Sequence, residues 1–112
     1  MRRVANVTKN KKQAIRLMIF KPAKGDIFLF GYLKEQDGPS DWDQHFEKLE
    51  MAYEYAALEF GVEHMDWQLI PDPLEGCQHD WINPVRVKGA AEGKPLWSAF
   101  EALENGEWKP LS

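Results

Sequence analysis

The alternation of apolar and polar positions predicts a β-hairpin over residues 14–34. Ile15, Leu17 and Ile19 recur at every second position, which is the period of a β-strand. Residues 22–26, with the sequence Pro-Ala-Lys-Gly-Asp, supply turn chemistry before a second alternating segment. Because both faces of this hairpin are fairly apolar, another element must cover one of them.

A long amphipathic helix is predicted to provide that cover. Residues 37–39, Asp-Gly-Pro, end the hairpin, and Ser40-x-x-Asp43 is close to the capping box that begins helices. Gly61 offers the left-handed residue that commonly ends them. The pattern therefore predicts one helix over about residues 41–60. Its apolar residues fall within about 40° of one line at the helical period: Trp42, Phe46, Leu49, Tyr53, Ala56 and Phe60.

Shorter elements are predicted after this helix. Met65, Trp67 and Leu69 alternate with polar residues and indicate a third strand. Residues 71–95 are rich in Pro, Gly and polar side chains, interrupted by a short predicted strand at residues 85–88. A loop of this length in a small domain is typically functional or folded on itself.

The C-terminal tail allows two interpretations. A short helix could begin at Ser98, which is followed by an acid three residues later. Alternatively, residues 100–103 and 107–111 form a hairpin closed by the Asn105-Gly106 turn. We favour the hairpin.

The order of the elements favours an α+β fold. We expect a two-layer arrangement, with a mainly antiparallel sheet and the 41–60 helix packed on one face. Phe28, Phe30 and Tyr32 are placed in the core under that helix. At 112 residues the chain has a common single-domain length. We therefore expect one domain over residues 1–112, with residues 1–13 as a mobile basic arm or a weak first strand.

The composition indicates a globular protein in a reducing compartment. Hydrophobic residues make up 44% of the chain, and five tryptophans are many for this length. Cys77 is the single cysteine, so no intramolecular disulfide can form. The longest apolar run near the N-terminus, residues 17–20, is too short for a signal peptide or membrane span. The acid-free start loosely resembles a transit peptide but lacks Ser, and we expect a cytoplasmic protein with no membrane partner.

The net charge of −4 conceals a strong separation of charge along the chain. Residues 1–24 contain eight Lys and Arg and no acid, whereas residues 25–112 contain eighteen acids and six Lys and Arg. Clustered like charge steers association with a partner of opposite charge. Nucleic-acid binding is disfavoured because the body is acidic and the calculated pI is about 5.3.

Four acids form a stripe on the predicted helix, at spacings that place them on adjacent turns. Neighbouring like charges repel, so local helix stability does not call for this arrangement. The stripe is either a solvated face that keeps the protein soluble or a recognition surface for a basic partner. That partner could be the protein's own basic arm, in cis or in a dimer. The four acids are Asp43, Glu47, Glu50 and Glu54.

A second apolar set on the same helix consists of Met51, Tyr55 and Leu58. It lies roughly opposite the main apolar stripe, where a helix on one sheet needs no further apolar residues. Either the 71–95 segment buries this set, or the set is exposed and contacts a partner or a second copy. Met and Tyr are typical of such contacts.

The greatest concentration of reactive groups lies in residues 76–81, Gly-Cys-Gln-His-Asp-Trp. Cys77 could be a nucleophile assisted by His79 in an extended segment, with Asp80 nearby. Cys77, His79 and Asp80 could instead bind a metal if His45 and His64 converged on them. A contact loop in which Trp81 fills a groove is the third interpretation, and the one we favour. Neither Cys-x₂₋₄-Cys nor His-x₃₋₅-His spacing occurs, so no metal and no cofactor is predicted.

Arg86 and Lys88 follow this loop on the predicted strand and have two candidate roles. They could bind an anion such as phosphate or a carboxylate, for which Arg offers a bidentate contact. They could instead form ion pairs with the acidic body, which is the role we favour. The glycines that follow lack the spacing of a phosphate-binding loop.

These features favour a non-enzymatic interaction protein that docks a protein partner or a second copy. Its binding residues would be the four acids of the stripe, with Trp81 as an anchor. In small size, acidic body and many tryptophans, the chain resembles bacterial immunity and antitoxin-type inhibitors in general character, without a shared motif. That resemblance implies an inhibitor of a basic protein, and an adaptor is equally compatible. The alternative is a small enzyme or ligand-binding domain that uses Cys77, His79, Asp80 and Arg86.

Overall fold

A computed structural model of the protein describes residues 1–89, 93–94 and 96–111. It divides into two compact units, Met1–Asp72 and Pro73–Ser112. Residues 90–92 and 95, which belong to the predicted 71–95 segment, lie outside the described residues. Each unit has its own antiparallel sheet.

The first unit contains a five-stranded sheet in which every neighbouring pair is antiparallel. The predicted hairpin over residues 14–34 is confirmed, since its two strands pair from Arg16↔Tyr32 to Phe20↔Phe28. Residues 2–6 of the N-terminal basic stretch form a strand between two others. The strands are β1 (Arg2–Asn6), β2 (Arg16–Phe20), β3 (Ile27–Tyr32), β4 (Trp42–Phe46) and β5 (Gln68–Ile70), in the spatial order β4-β3-β2-β1-β5.

The predicted 41–60 helix is correct only in its C-terminal part. The helix α1 spans Leu49–Phe60, and Gly61 ends it in the left-handed conformation at φ 67°. Residues 42–46, which we placed in this helix, instead form β4 at the edge of the sheet. A short 3₁₀ helix, His64–Asp66, then leads into β5.

The helix covers one face of this sheet. Ala52, Ala56 and Phe60 on α1 are buried in one cluster with Leu17, Leu29 and other strand residues. The placement of Phe28, Phe30 and Tyr32 under the helix is wrong, because they alternate with Ile27 and Leu29 and therefore face the other side. Periodicity assigned the two faces correctly but could not say which of two apolar faces the helix covers.

The second unit contains a three-stranded antiparallel sheet in the order β6-β7-β8. The favoured tail hairpin is confirmed: β7 and β8 pair, with Glu104 opposite Glu107. Asn105 and Gly106 have positive φ values of 51° and 80°, as a two-residue type I′ hairpin turn requires. The strands are β6 (Val85–Lys88), β7 (Leu96–Glu104) and β8 (Glu107–Pro110).

The predicted α+β class is confirmed, with one α-helix packed on an antiparallel sheet among the described residues. The helix contacts β3 and β4 and so lies toward the β4 edge of the five-stranded sheet. In the described part of the chain no helix has the length and apolar character needed to cross a membrane.

Candidate functional site

Strand β4 leaves one edge of the first sheet open. It pairs with β3, from Gly31↔Trp42 to Ile27↔Phe46, and with no other strand in the part of the chain that the structure describes. An edge strand presents a row of N–H and C=O groups that can pair with another strand. The five residues of β4 contain neither Pro nor Lys, two residues that commonly block such pairing. This edge is therefore available for main-chain recognition.

Side chains of β4 alternate between the helix side and the opposite side. Gln44 donates from Nε2 to the Tyr55 hydroxyl at 2.9 Å, and the ring of Phe46 lies 5.5 Å from that of Tyr55. On the other side, Asp43 Oδ2 and His45 Nε2 are 3.0 Å apart, and both side chains are about half exposed. The strand thus contacts α1 through one face and presents an acid–imidazole pair on the other.

Trp42 fixes the beginning of β4. Its indole stacks on Phe60 of α1 with the ring centroids 5.8 Å apart. Its Nε1–H donates to the backbone carbonyl of Gln13 at 2.7 Å. The ring also lies directly over Gly31, where a side chain would collide with it. One residue therefore connects β3, β4, α1 and the segment between β1 and β2.

The flank of α1 next to β4 carries the predicted second apolar set. Tyr55 is half-buried through its contacts with β4, whereas Met51 is 47% and Leu58 76% exposed. The exposure of Met51 and Leu58 among the described residues agrees with the second alternative for this set, a surface that contacts a partner or a second copy. A flank with large apolar side chains in water is typical of a contact surface.

A groove of about 380 Å³ lies beside this flank. Its walls combine aromatic and aliphatic surface with a few amide groups, as ligand and peptide pockets commonly do. Leu33 at its rim is 47% exposed. We call the free edge of β4, this groove and the Met51–Leu58 flank the β4–α1 surface. The groove is lined by Gln13, Leu33, Trp42, Asp43, Gln44 and Tyr55.

The four predicted acids do not form one helical stripe. Asp43 lies on β4 and Glu47 precedes α1, while Glu50 and Glu54 lie on the helix. All four are exposed. Glu54 is three residues after Met51 and four before Leu58, so it sits between them on the helix surface. The acids therefore border the β4–α1 surface instead of forming a separate ridge.

Basic residues lie near the C-terminal end of α1, at the end of the β4–α1 surface that is opposite Glu47 and Glu50. Arg2 is buried, and Arg3 donates to the Tyr53 hydroxyl at 3.1 Å. Lys21 and Lys24 are exposed in the turn between β2 and β3, and the other exposed cations of residues 1–24 lie in the segment between β1 and β2. That segment reaches the C-terminal end of α1, since Asn10 Nδ2 donates to the Glu59 carbonyl at 2.8 Å. Its exposed lysines are Lys9, Lys11 and Lys12.

The remaining predicted binding residues lie in the second unit. Trp81 is half-buried, with its ring 6.4 Å from that of Phe100. Arg86 on β6 contacts Glu101 with Nε 3.3 Å from Oε1, and its guanidinium lies 4.0 Å from the centre of the Trp108 ring. Lys88 on the same strand is exposed. Arg86 is therefore already engaged by a carboxylate and an aromatic face.

The Cys-His-Asp cluster is also in the second unit. Cys77 is 6% exposed, and its backbone N–H donates to the Leu74 carbonyl at 3.0 Å. His79 is exposed and Asp80 is half-buried. A nucleophilic thiol must be reachable by its substrate, which the burial of Cys77 disfavours. Within the described ranges, no three His, Cys, Asp or Glu side chains are grouped closely enough to hold a metal ion.

Sequence reasoning did not single out Gln13, Leu33 or Gln44, which line the groove. The signal available for Gln44 was the alternation within residues 42–46, which fits a strand as well as a helix. Gln13 comes to the groove with its backbone carbonyl accepting a hydrogen bond from Trp42, and Leu33 lies at the rim. No local sequence pattern indicates either position.

Comparisons with known protein families, with curated proteins and with solved structures gave no match. The chain's own geometry therefore carries the functional argument.

Proposed function

We propose that this protein is a non-enzymatic interaction protein that docks a protein partner through the β4–α1 surface. The observation that carries the proposal is the exposure of Met51 and Leu58 on the helix flank beside the groove. Contiguous apolar surface in water is costly for a soluble domain and usually marks a contact site. Met and aromatic side chains such as Tyr55 and Trp42 are enriched in the centres of protein interfaces.

The charges around this surface favour a partner of mixed charge. Glu47 and Glu50 lie at the end where β4 stops and α1 begins. Lys9, Lys11 and Lys12 lie in the segment that contacts the other end of the helix. A partner with an apolar centre and opposite charges at its two ends fits this pattern, and the charges would set its orientation and association rate. An inhibitor or an adaptor in the cytoplasm would use the surface in this way.

The enzymatic alternative has less support. Cys77 is buried, and Arg86 already contacts Glu101 and Trp108. Catalysis by these residues would require the thiol to become accessible and the guanidinium to leave both of its contacts.

We expect the variant Met51→Gln/Leu58→Gln to lose the partner that the wild-type protein binds. Native mass spectrometry of the protein purified gently from its own source cells would reveal the partner, either another chain or a second copy. Removing two exposed apolar contacts from an interface centre should weaken the complex by about tenfold or more. Stability should change little because both side chains are exposed.

Met65→Gln/Leu69→Gln is the matched control. These residues are 89% and 69% exposed but lie on and before β5, at the other edge of the sheet. The control variant should keep the partner. Equal retention in both variants, or a wild-type protein without a companion, would contradict docking through the β4–α1 surface.

A further inference from the structure

We infer that the partner on the β4–α1 surface is a second copy of this chain, paired antiparallel along β4 in a two-fold dimer. The inference rests on the proposed function, since it names the occupant of the same surface. Two β4 edges joined in this way give one continuous sheet with both helices on the same side. An isologous interface of this kind requires that the surface be complementary to itself, and three features of the surface meet that requirement.

The first feature is the pairing register of β4. A two-fold axis beside Gln44 places Asp43 of each copy opposite His45 of the other. Cross-strand pairs of an acid and an imidazole are favourable, and like charges directly opposite are not. Moving the axis to Asp43 places that carboxylate opposite itself, and moving it to His45 places Asp43 opposite Glu47. Of these three registers, the one centred on Gln44 avoids opposing carboxylates.

The second feature is the position of the helix. Because α1 lies over β3 and β4, its axis is about one strand spacing, about 4.8 Å, from the two-fold axis. The two helices then lie about 10 Å apart, which is the distance at which helices pack. Tyr55 contacts Gln44 and is level with the axis, while Met51 and Leu58 lie about one turn to either side. The two-fold axis brings Met51 of one copy toward Leu58 of the other, so the exposed apolar flanks cover each other.

The third feature is the separation of charge along the surface. Lys9 lies beside Gly61 at the end of α1, next to the Phe60 ring on which Trp42 stacks. Lys12 precedes Gln13, whose carbonyl accepts the hydrogen bond of the Trp42 indole. Glu47 and Glu50 lie near the opposite end. A two-fold axis through the middle of β4 exchanges these ends, so the lysines of each copy face the acids of the other. Opposite charges therefore meet at both ends of an apolar centre, as complementary interfaces arrange them.

Sedimentation of the purified full chain, combined with cysteine cross-linking, tests this dimer. The wild-type protein should sediment at twice its chain mass of 13.0 kDa at micromolar concentration. Gln44→Cys should form a disulfide-linked dimer on mild oxidation, since the two thiols face each other across the axis at a distance a disulfide can span. Asp43→Cys should form the disulfide about tenfold more slowly or not at all. Its thiol lies opposite His45 of the other copy, so the two introduced thiols are offset by two residues along the strands. Wild-type protein is the background control, as Cys77 is buried.

A charge exchange tests the register independently. His45→Asp places two carboxylates opposite each other and should weaken the dimer about tenfold, with two such pairs per interface. Asp43→His should weaken it by removing both acids. The double variant Asp43→His/His45→Asp restores an acid opposite an imidazole and should recover the wild-type dissociation constant. The effects of the two substitutions on the dissociation constant would then cancel instead of adding, which is expected only of residues that contact each other.

The possible outcomes separate the two proposals. A wild-type chain that remains monomeric at millimolar concentration overturns the dimer. The proposed function would still stand if the wild-type protein bound a different protein and the Met51→Gln/Leu58→Gln variant did not bind it. A dimer in which Gln44→Cys does not cross-link, or in which the double variant does not recover, overturns the β4 pairing. A dimer unaffected by Met51→Gln/Leu58→Gln contradicts both proposals.

Discussion

Trp42 is the residue on which the candidate site depends. Its indole contacts Phe60, lies over Gly31 and donates a hydrogen bond to Gln13. Aromatic side chains of this size contribute large buried areas, and the polar N–H of Trp requires a partner when buried. The same ring thus holds β4 against β3, positions α1 and forms one wall of the groove. Five tryptophans in the sequence indicated anchors, but only the tertiary contacts identify this one.

Gly31→Ala should lower the free energy of unfolding by about 2–3 kcal/mol. This is the upper part of the range of destabilisation seen when atoms are added to a well-packed site. The added Cβ would fall inside the Trp42 ring, so the indole must leave its contact with Phe60 and its hydrogen bond to Gln13. Urea unfolding followed by tryptophan fluorescence measures the change.

Gly38→Ala is the control for this substitution. A Cβ added at Gly38 would meet no atom within 4 Å, so the free energy of unfolding should change by less than about 0.5 kcal/mol. Equal stability of the two variants would show that the indole does not occupy the space over Gly31.

Among the elements, β4 shows why the helix prediction failed at its beginning. Trp42 and Phe46 are four residues apart, a spacing that fits one face of a helix and also one face of a strand. Local pattern alone cannot choose between these periods over five residues. The open edge of β3 decides, because its backbone groups pair with residues 42–46. The later part of the pattern, from Leu49 to Gly61, has no such competitor and was predicted correctly.

The β7–β8 hairpin yields a prediction at the scale of the element. Gly106→Ala should speed amide exchange in the hairpin by about 5–30-fold, because a left-handed conformation costs a residue with Cβ about 1–2 kcal/mol. Gly106 has φ 80° and open space around it, so the cost is in the backbone alone. Hydrogen exchange of the paired residues Ala102 and Lys109, whose amides face each other across the hairpin, measures it.

Asn105→Gly provides the matched variant, since glycine also accepts the positive φ of 51° at that position. Its exchange rates should stay within about threefold of wild type. Faster exchange in Asn105→Gly than in Gly106→Ala would contradict the assigned turn.

At the scale of the whole molecule, charge and chemistry are distributed between two compact units. The exposed acids of the candidate surface lie in Met1–Asp72, and the Cys-His-Asp cluster lies in Pro73–Ser112. In the fold, the basic N-terminal stretch is not an arm separate from the acidic part of the chain. Arg2 and Arg3 are absorbed into β1, and the exposed lysines Lys9, Lys11 and Lys12 border the same surface as the acids.

Cys77 reports on the folded state of the second unit, Pro73–Ser112. Its thiol is 6% exposed, so a disulfide reagent should label the native protein at least about 100-fold more slowly than the urea-unfolded chain. Labelling at pH 7 with and without urea measures the ratio. Comparable rates in the two states would instead indicate a reachable thiol and would favour the enzymatic alternative.

The sequence by itself determined the elements whose signals are local. The alternation of residues 15–33, the helical period from Leu49 to Phe60 and the Asn105-Gly106 turn each depend on neighbours in the chain, and the α+β class follows from their order. Only the tertiary structure decided that residues 42–46 form an edge strand, that Ile27 and Leu29 face the helix, and that Met51 and Leu58 stay exposed. These outcomes depend on which distant surfaces meet, because a free strand edge or an apolar face is satisfied by any complementary neighbour.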